Sequence, residues 1–153
     1  MSKGIVLSLY DFTGEALKPW ADAGYTCYAF DIQHDLYEST TTYSTEHAGG
    51  SIEYLHADLH NTETLRLIEE RFAGCNVVMG MAFPVCTDMA VSGAANFAKK
   101  LKANPNFQKD AVAYAVWCSD LFESIGCSYF IENPVSVLAT QWRKPDYRFH
   151  PYE

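Results

Sequence analysis

Basic residues are scarce in the first half of this sequence. Residues 1–80 hold four Lys/Arg against twelve Asp/Glu, residues 81–153 hold seven of each, and the net charge of −8 therefore belongs to the first half. A surface of that sign does not grip a polyanion by its field. A nucleic acid substrate is therefore expected to approach the second half, or to need a positive surface from another chain. Long apolar runs are missing as well. None approaches the roughly 20 residues that span a bilayer, and the opening "MSKGIVLSLYDF" carries one lysine and an apolar run broken by Ser8, so no signal peptide is expected. The five cysteines are an odd number with no C-x-x-C pair and no zinc-type Cys/His spacing. That argues against a disulfide framework and predicts a reduced, cytoplasmic protein with free thiols. The three-glycine fingerprint of a dinucleotide fold is absent too, since only Gly14 stands in the first turn.

What is present is ordinary globular composition, 48% hydrophobic and 20% charged, in a length that suits one domain spanning residues 1–153. Apolar runs rich in strand formers alternate with segments of helical period. "GIVLSLY" is followed by "EALKPWADA", a helix with Pro19 in its first turn. "YTCYAFD" is a second strand ending at Asp31, and residues 33–50 read as a long polar loop with a short helical turn. "SIEYLHADL" is a third strand ending at Asp58. Asn61 or Thr62 caps "ETLRLIEERF", whose Leu65, Ile68 and Phe72 share a face. "CNVVMGMAFP" is a fourth strand, Ala90 to Ala103 a helix, and Phe107 to Ile125 a long helix stopped by Gly126. "CSYFIENP" is a fifth strand ending at Glu132, and "VSVLATQW" a last helix. The tail "RKPDYRFHPYE" has no period. This alternation predicts an α/β Rossmann-like fold, a mostly parallel sheet with helices on both faces.

Asp11, Asp31, Asp58, Cys86 and Glu132 then fall at or just past strand ends, the edge where open α/β sheets bind ligands. Each alone has a plain reading: a turn aspartate, a packing cysteine. Together they exceed what capping requires. The turn "YDFTGEALKPW" followed by Asp31, 17 residues beyond Gly14, suits an adenosine-containing cofactor without a pyrophosphate. The carboxylate is placed to accept ribose hydroxyls. S-adenosylmethionine fits, because its sulfonium suits an acidic half.

These residues also carry a family resemblance. "YDFTGEALKPWADAGY" resembles the first motif of the cytosine-C5 DNA methyltransferases, "FPVC" resembles their Pro-Cys nucleophile motif, and "IENP" their Glu-Asn motif. "CTDMAVSGAANF" and the tail are similar to a short, phage-type branch. The resemblance implies a class I methyltransferase fold and a bacterial or phage-infected host cell. It implies a cofactor site lined by Asp11, Phe12, Gly14, Asp31, Ile32, Asp58 and Pro84, with Cys86 as nucleophile and Glu132 beside the base. Asn133, Ser92 and Arg143 would face the substrate. Ala16 stands where the family has its second glycine, and Val85 where proline is common. No counterpart of the family's target-recognition region follows Glu132.

The chemistry needs that pair. A thiolate adding to C6 of cytosine loads electron density on C5, and a carboxylic acid at N3 stabilises the charge that develops. Thr87, Asp88 and Ser92 offer N-caps after Cys86, although Asp88 pointing inward would oppose a thiolate. In a duplex the base must leave the stack to reach such a pocket, whereas a cytosine nucleotide or single strand needs less. Cys27, Cys75, Cys118 and Cys127 lie in or beside apolar segments and are expected to be inert. His56, Asp58 and His60 in "HADLH" are spaced like strand ligands, but with His60 past the strand end no metal is expected. Lys99, Lys100 and Lys102 read as a solvated helix face, with contact to phosphates as the alternative, and Tyr114 and Trp117 as core. Arg143, Lys144 and Arg148 either face solvent or meet a substrate phosphate. The leading expectation is methyl transfer from S-adenosylmethionine to C5 of cytosine in DNA or a nucleotide. The alternatives are a cofactor- or partner-binding protein without turnover, and one half of a split enzyme completed by a basic chain.

Overall fold

Five parallel strands form the sheet in the order β4-β2-β1-β5-β6, and a two-residue antiparallel β3 extends the β4 edge. A computed structural model of the chain describes residues 2–35, 43–44 and 49–150. The strands are β1 (Ile5–Leu9), β2 (Thr26–Asp31), β3 (Tyr43–Ser44), β4 (Ser51–His56), β5 (Val77–Ala82) and β6 (Tyr129–Ile131). The helices are α1 (Lys18–Asp22), α2 (Thr62–Phe72), α3 (Phe97–Ala103), α4 (Phe107–Ile125) and α5 (Leu138–Gln141), with 3-10 turns at Glu15–Leu17 and Val91–Asn96. The α/β Rossmann-like fold read from the sequence is the fold of the chain.

β1 is buried on both faces, as the central strand of a parallel sheet must be. Its alternate side chains serve two cores. Leu7 and Leu9 pack with Phe30, Leu65, Ile68, Phe72, Leu121 and Phe122 under α2 and α4. Val6 packs with Leu17, Ala21, Cys27, Ala29, Ile52 and Met81 on the α1 face. A third cluster joins Met89 to Ala111, Val112 and Ala115 of α4 and to Leu138. α2 starts where Asn61 Oδ1 accepts from Glu63 N at 2.9 Å, a cap worth about 1 kcal/mol. α4 buries Phe107, Ala111, Val112, Ala115, Cys118, Leu121 and Phe122 and ends at Gly126.

Several boundaries differ from the sequence reading. β4 stops at His56, where its ladder with β2 closes on the bond from Ala57 N to Asp31 O at 3.1 Å. β6 is only three residues long, and the last helix shrinks to Leu138–Gln141. The segment after Ala90 begins as a 3-10 turn, with no side-chain cap from Thr87, Asp88 or Ser92. Within the loop read over residues 33–50, Tyr43 and Ser44 form β3, while 36–42 and 45–48 lie outside the described residues. So do 151–153 of the tail; residues 143–150 are exposed without regular structure. Among the described residues no helix is long and apolar enough to cross a membrane.

Candidate functional site

Strand order reverses at β1, between β2 and β5, so the ligand crevice of this topology opens outside the C-terminal ends of those strands. The chain leaves β1 through Tyr10, whose φ of 57° places a non-glycine residue in the left-handed region, at a cost of about 1–2 kcal/mol. The bend turns Asp11 inward, to 7% exposure. Its Oδ2 accepts from Ser8 Oγ at 2.7 Å and its Oδ1 from Gly14 N at 2.7 Å. Asp11 therefore shapes the first turn with both oxygens. Gly14 has φ 70°, and a Cβ there would sit 2.6 Å from Tyr54 Oη. That hydroxyl donates to Thr13 O at 3.2 Å. His34 braces the same turn, with Nε2 2.9 Å from Phe12 O and Nδ1 3.0 Å from Leu55 O.

Beyond this turn lies a cavity of about 250 Å³ whose wall includes Tyr10, Asp31, Asp58, His60, Phe83 and Val85. That is at the small end for ligand pockets, roughly 300–1,000 Å³, and suits a nucleoside better than a dinucleotide. Asp31 Oδ1 accepts from Gln33 N at 2.9 Å, while Oδ2 accepts no hydrogen bond among the described residues. Asp58 Oδ1 accepts from His60 N at 3.0 Å. The His60 ring stacks on Tyr114, with centroids 3.7 Å apart and planes 5° from parallel. Tyr10 Oη is buried with no hydrogen-bond partner. Burial pushes its phenol above the ordinary range, and Cys118, Tyr114, Asp58 and Asp31 reinforce the shift. The cavity thus offers two carboxylate oxygens that accept no hydrogen bond among the described residues, Asp31 Oδ2 and Asp58 Oδ2, and aromatic walls.

On the other side of the switch point, the segments after β5 and β6 run together. Phe83 N donates to Leu9 O at 3.1 Å and Glu132 N to Ala82 O at 3.0 Å, which carries both chains past the sheet edge side by side. Asn133 Nδ2 reaches Pro84 O at 3.4 Å. Further on, Val91 N donates to Val135 O at 3.0 Å and Val137 N to Met89 O at 3.1 Å, around an antiparallel Ala90–Ser136 bridge. Cys86, half-buried, opens a tight turn, its carbonyl accepting from Met89 N at 2.9 Å and Ala90 N at 2.7 Å. Asp88 and Thr87 O are both held by Lys100 Nζ, the latter at 3.3 Å. The "FPVC" and "IENP" segments are thereby one unit.

Of the residues expected to hold a cofactor, Asp31, Ile32 and Asp58 are on the cavity wall. Asp11 and Gly14 build the turn instead, Phe12 is 51% exposed and stacked on His34, and Pro84 is buried. Asn133 is bonded to the Cys86 segment, and its Oδ1 is buried with no partner. Ser92 and Arg143 are exposed; Arg143 pairs with Asp146 at 2.7 Å, and neither side chain bonds to the Cys86 or Glu132 segments. Two expectations are corrected. Cys75 is exposed, because it falls in the turn between α2 and β5. Lys100 is engaged at the Cys86 turn, while Lys99 and Lys102 are exposed as expected. Tyr114 and Trp117 are half-buried, and Tyr114 forms the shelf under His60. Among the described residues no group of three or more His, Cys, Asp or Glu could hold a metal ion. Tyr10 and Phe83 escaped the sequence reading, with adjacency to strand ends their only signal, and His60 and Val85 entered it only as a conceivable metal ligand and as a departure from the Pro-Cys motif. No family model, no curated protein and no solved structure is significantly similar to the chain.

Proposed function

We propose that this chain is the catalytic domain of an S-adenosylmethionine-dependent methyltransferase acting on C5 of cytosine in DNA or a nucleotide. The observation that carries the reading is the union of the Cys86 and Glu132 segments through Asn133 and Pro84, beside a cavity whose wall includes Val85 and two acids. The cavity fits the nucleoside part of that cofactor. Asp31 Oδ2 would accept from ribose hydroxyls, Asp58 would meet polar groups of the base, and Phe83 and Ile32 would cover its apolar surface.

When bound, S-adenosylmethionine supplies the electrophilic methyl group that cytosine C5 takes. The chain's own residues prepare the base for it. Cys86 Sγ, as thiolate, forms a bond to C6 and pushes the ring electrons toward C5. The carboxylic acid of Glu132 hydrogen-bonds N3 and stabilises the charge that develops there. After methylation a base removes the C5 proton, the C6–S bond breaks, and Cys86 leaves as thiolate. The direct test is transfer of labelled methyl from S-adenosylmethionine to cytosine-containing single-stranded and duplex oligonucleotides. Transfer by wild type and none by Cys86→Ser is expected. Equal transfer by both would remove Cys86 from the chemistry.

A second reading, one half of a split enzyme, draws on the charge of −8 and on the exposure of Val91 (64%), Val135 (73%) and Phe130 (44%) around these segments. Such a partner would be basic and would cover that apolar rim. Activity that arises only on mixing with a basic chain favours it over the self-sufficient enzyme.

A further inference from the structure

The segment after the last helix carries aromatic and basic side chains that the fold does not use. Residues 143–150, "RKPDYRFH", hold three Lys/Arg against one Asp and are exposed throughout. Tyr147 is 91% exposed and Phe149 68%, and neither belongs to any of the apolar clusters. Rings of that size stabilise a fold by being buried, so packing gives no reason for these two. Arg143 pairs with Asp146 at 2.7 Å, whereas Lys144 and Arg148 pair with no carboxylate among the described residues.

The root of the segment is fixed on the unit that carries Cys86. Val137 N donates at 3.1 Å to Met89 O, in the turn that Cys86 opens. Leu138 lies in the cluster with Met89, and Trp142 packs against that cluster. Trp142 N and Arg143 N both close onto Leu138 O, at 3.0 and 2.9 Å. From there the arm Lys144 to His150 can reach at most about 25 Å. α3, tied to the same turn by the bond from Lys100 Nζ to Thr87 O, adds exposed Lys99 and Lys102, and no acidic residue occurs between Val91 and Phe107.

Cations and rings alternating along an exposed chain suit a single-stranded nucleic acid. Its phosphates meet the cations, and its unstacked bases lie on the ring faces. A duplex offers the phosphates but keeps its bases stacked. An acidic protein surface would engage the cations and leave the rings without a role. The net charge of −8 lies in residues 1–80, so it weakens such binding and makes it salt-sensitive without occupying the arm. We infer that residues 144–150 are a binding arm for single-stranded nucleic acid, with Tyr147 and Phe149 as stacking platforms and Lys144 and Arg148 as phosphate contacts. That the bound strand is the one whose cytosine Cys86 attacks rests on the reading of Cys86 as the nucleophile; the binding itself does not.

The test is fluorescence anisotropy of the full chain with a labelled, cytosine-containing oligonucleotide, single-stranded and annealed to its complement, over a series of potassium chloride concentrations. The single strand should bind at least about ten-fold tighter than the duplex, because it alone offers free base faces. Tyr147→Ala with Phe149→Ala should weaken single-strand binding by about ten-fold or more and leave its salt dependence unchanged. Lys144→Ala with Arg148→Ala should reduce the slope of log K against log salt by about 1.4. Tyr147→Phe with Phe149→Tyr, which keeps both rings, should bind as wild type does. The inference is overturned by absent single-strand binding, by equal affinity for the duplex, or by unchanged affinity in the double alanine variant of the rings. An unchanged salt slope in the cation variant overturns it too. So does a lowered urea midpoint in the ring variant, which would show the rings packed into the fold. A concentration-dependent gain in mass by light scattering, without strand binding, would assign the arm to the acidic half of a second copy instead. The methyltransferase reading is scored apart, by the Cys86 adduct with 5-fluorodeoxycytidine monophosphate, a ligand too short to lie along the arm. That adduct without strand binding dismisses the arm alone, and strand binding through the arm without the adduct dismisses the nucleophile alone.

Discussion

The two sides of the crevice are finished to different degrees. Along β1, β2 and β4 the turn groups bond one another. Asp11 is used by Ser8 and Gly14, Thr13 O by Tyr54, and Phe12 O and Leu55 O by His34. What stays open there is small and belongs to the cavity wall: Asp31 Oδ2 and Asp58 Oδ2. Along β5 and β6 the segments are tied to each other, yet Asn133 Oδ1 is buried unbonded and Val85, Val91 and Val135 are exposed. The net negative charge belongs to the half of the sequence that builds β1, β2 and β4. A recess complete in itself suits a small cofactor. A pair of joined loops with an apolar rim suits a larger substrate or a partner.

Substitutions should separate the two sides. Glu132→Gln acts on the second alone: we expect methyl transfer to fall roughly 10²–10³-fold with cofactor affinity unchanged, as read by transfer assay and calorimetry. Asp11→Ala acts on the first: it strands the Ser8 hydroxyl and the Gly14 amide, and each buried orphan costs roughly 1–3 kcal/mol. Urea denaturation should show a loss of about 2–3 kcal/mol, and Cys86 alkylation in the folded protein should be unchanged. Asp31→Ala leaves the turn intact and removes an acceptor from the cavity. Affinity for S-adenosylmethionine or its demethylated product should fall by about 0.5–1.5 kcal/mol per lost bond. Calorimetry giving equal affinity would place the cofactor elsewhere.

The smallest effect is on pH. Burial pushes the Cys27 and Cys118 thiols from 9.0 up to about 12. The unfolded chain ionises them above about pH 9 while the folded chain keeps them protonated, so the unfolded state binds fewer protons there. Stability is full below about pH 9 and declines as the pH rises toward 12. Urea midpoints between pH 8 and 10.5 should fall, and Cys27→Ala with Cys118→Ala should flatten the slope. Both thiols should resist alkylation at pH 8 under native conditions, unlike Cys75 and Cys86.

The sheet was legible because its signals are local. The run "IVLSL" becomes β1, Asn61 caps α2, and the stripe from Phe107 to Phe122 with Gly126 behind it bounds α4. The placement of Asp31 and Asp58 on the cavity wall followed from strand ends alone. The end of β4 at His56 was not legible, because it depends on where β2 stops beside it. Tyr10 and Phe83 were not singled out, because an aromatic residue beside a strand end carries no mark of the cavity it borders, and His60 stood only as a conceivable metal ligand. The structural duty of Asp11 arises from a turn conformation that one-dimensional pattern does not carry. The bond from Lys100 to Asp88 joins residues 12 apart, a separation without helical or strand periodicity.

The union of the Cys86 and Glu132 segments is the centre of the proposed chemistry, and one measurement addresses it. Cytosine bearing fluorine at C5 cannot lose that substituent as a proton, so the C6–S bond should persist. Protein, S-adenosylmethionine and an oligonucleotide containing 5-fluorocytosine are incubated, and intact mass is recorded for wild type and Cys86→Ser. Wild type should gain the mass of the oligonucleotide plus one methyl group, and Cys86→Ser should gain nothing. An adduct that survives Cys86→Ser, or no adduct on wild type with the cofactor bound, would contradict Cys86 as the nucleophile of a self-sufficient enzyme.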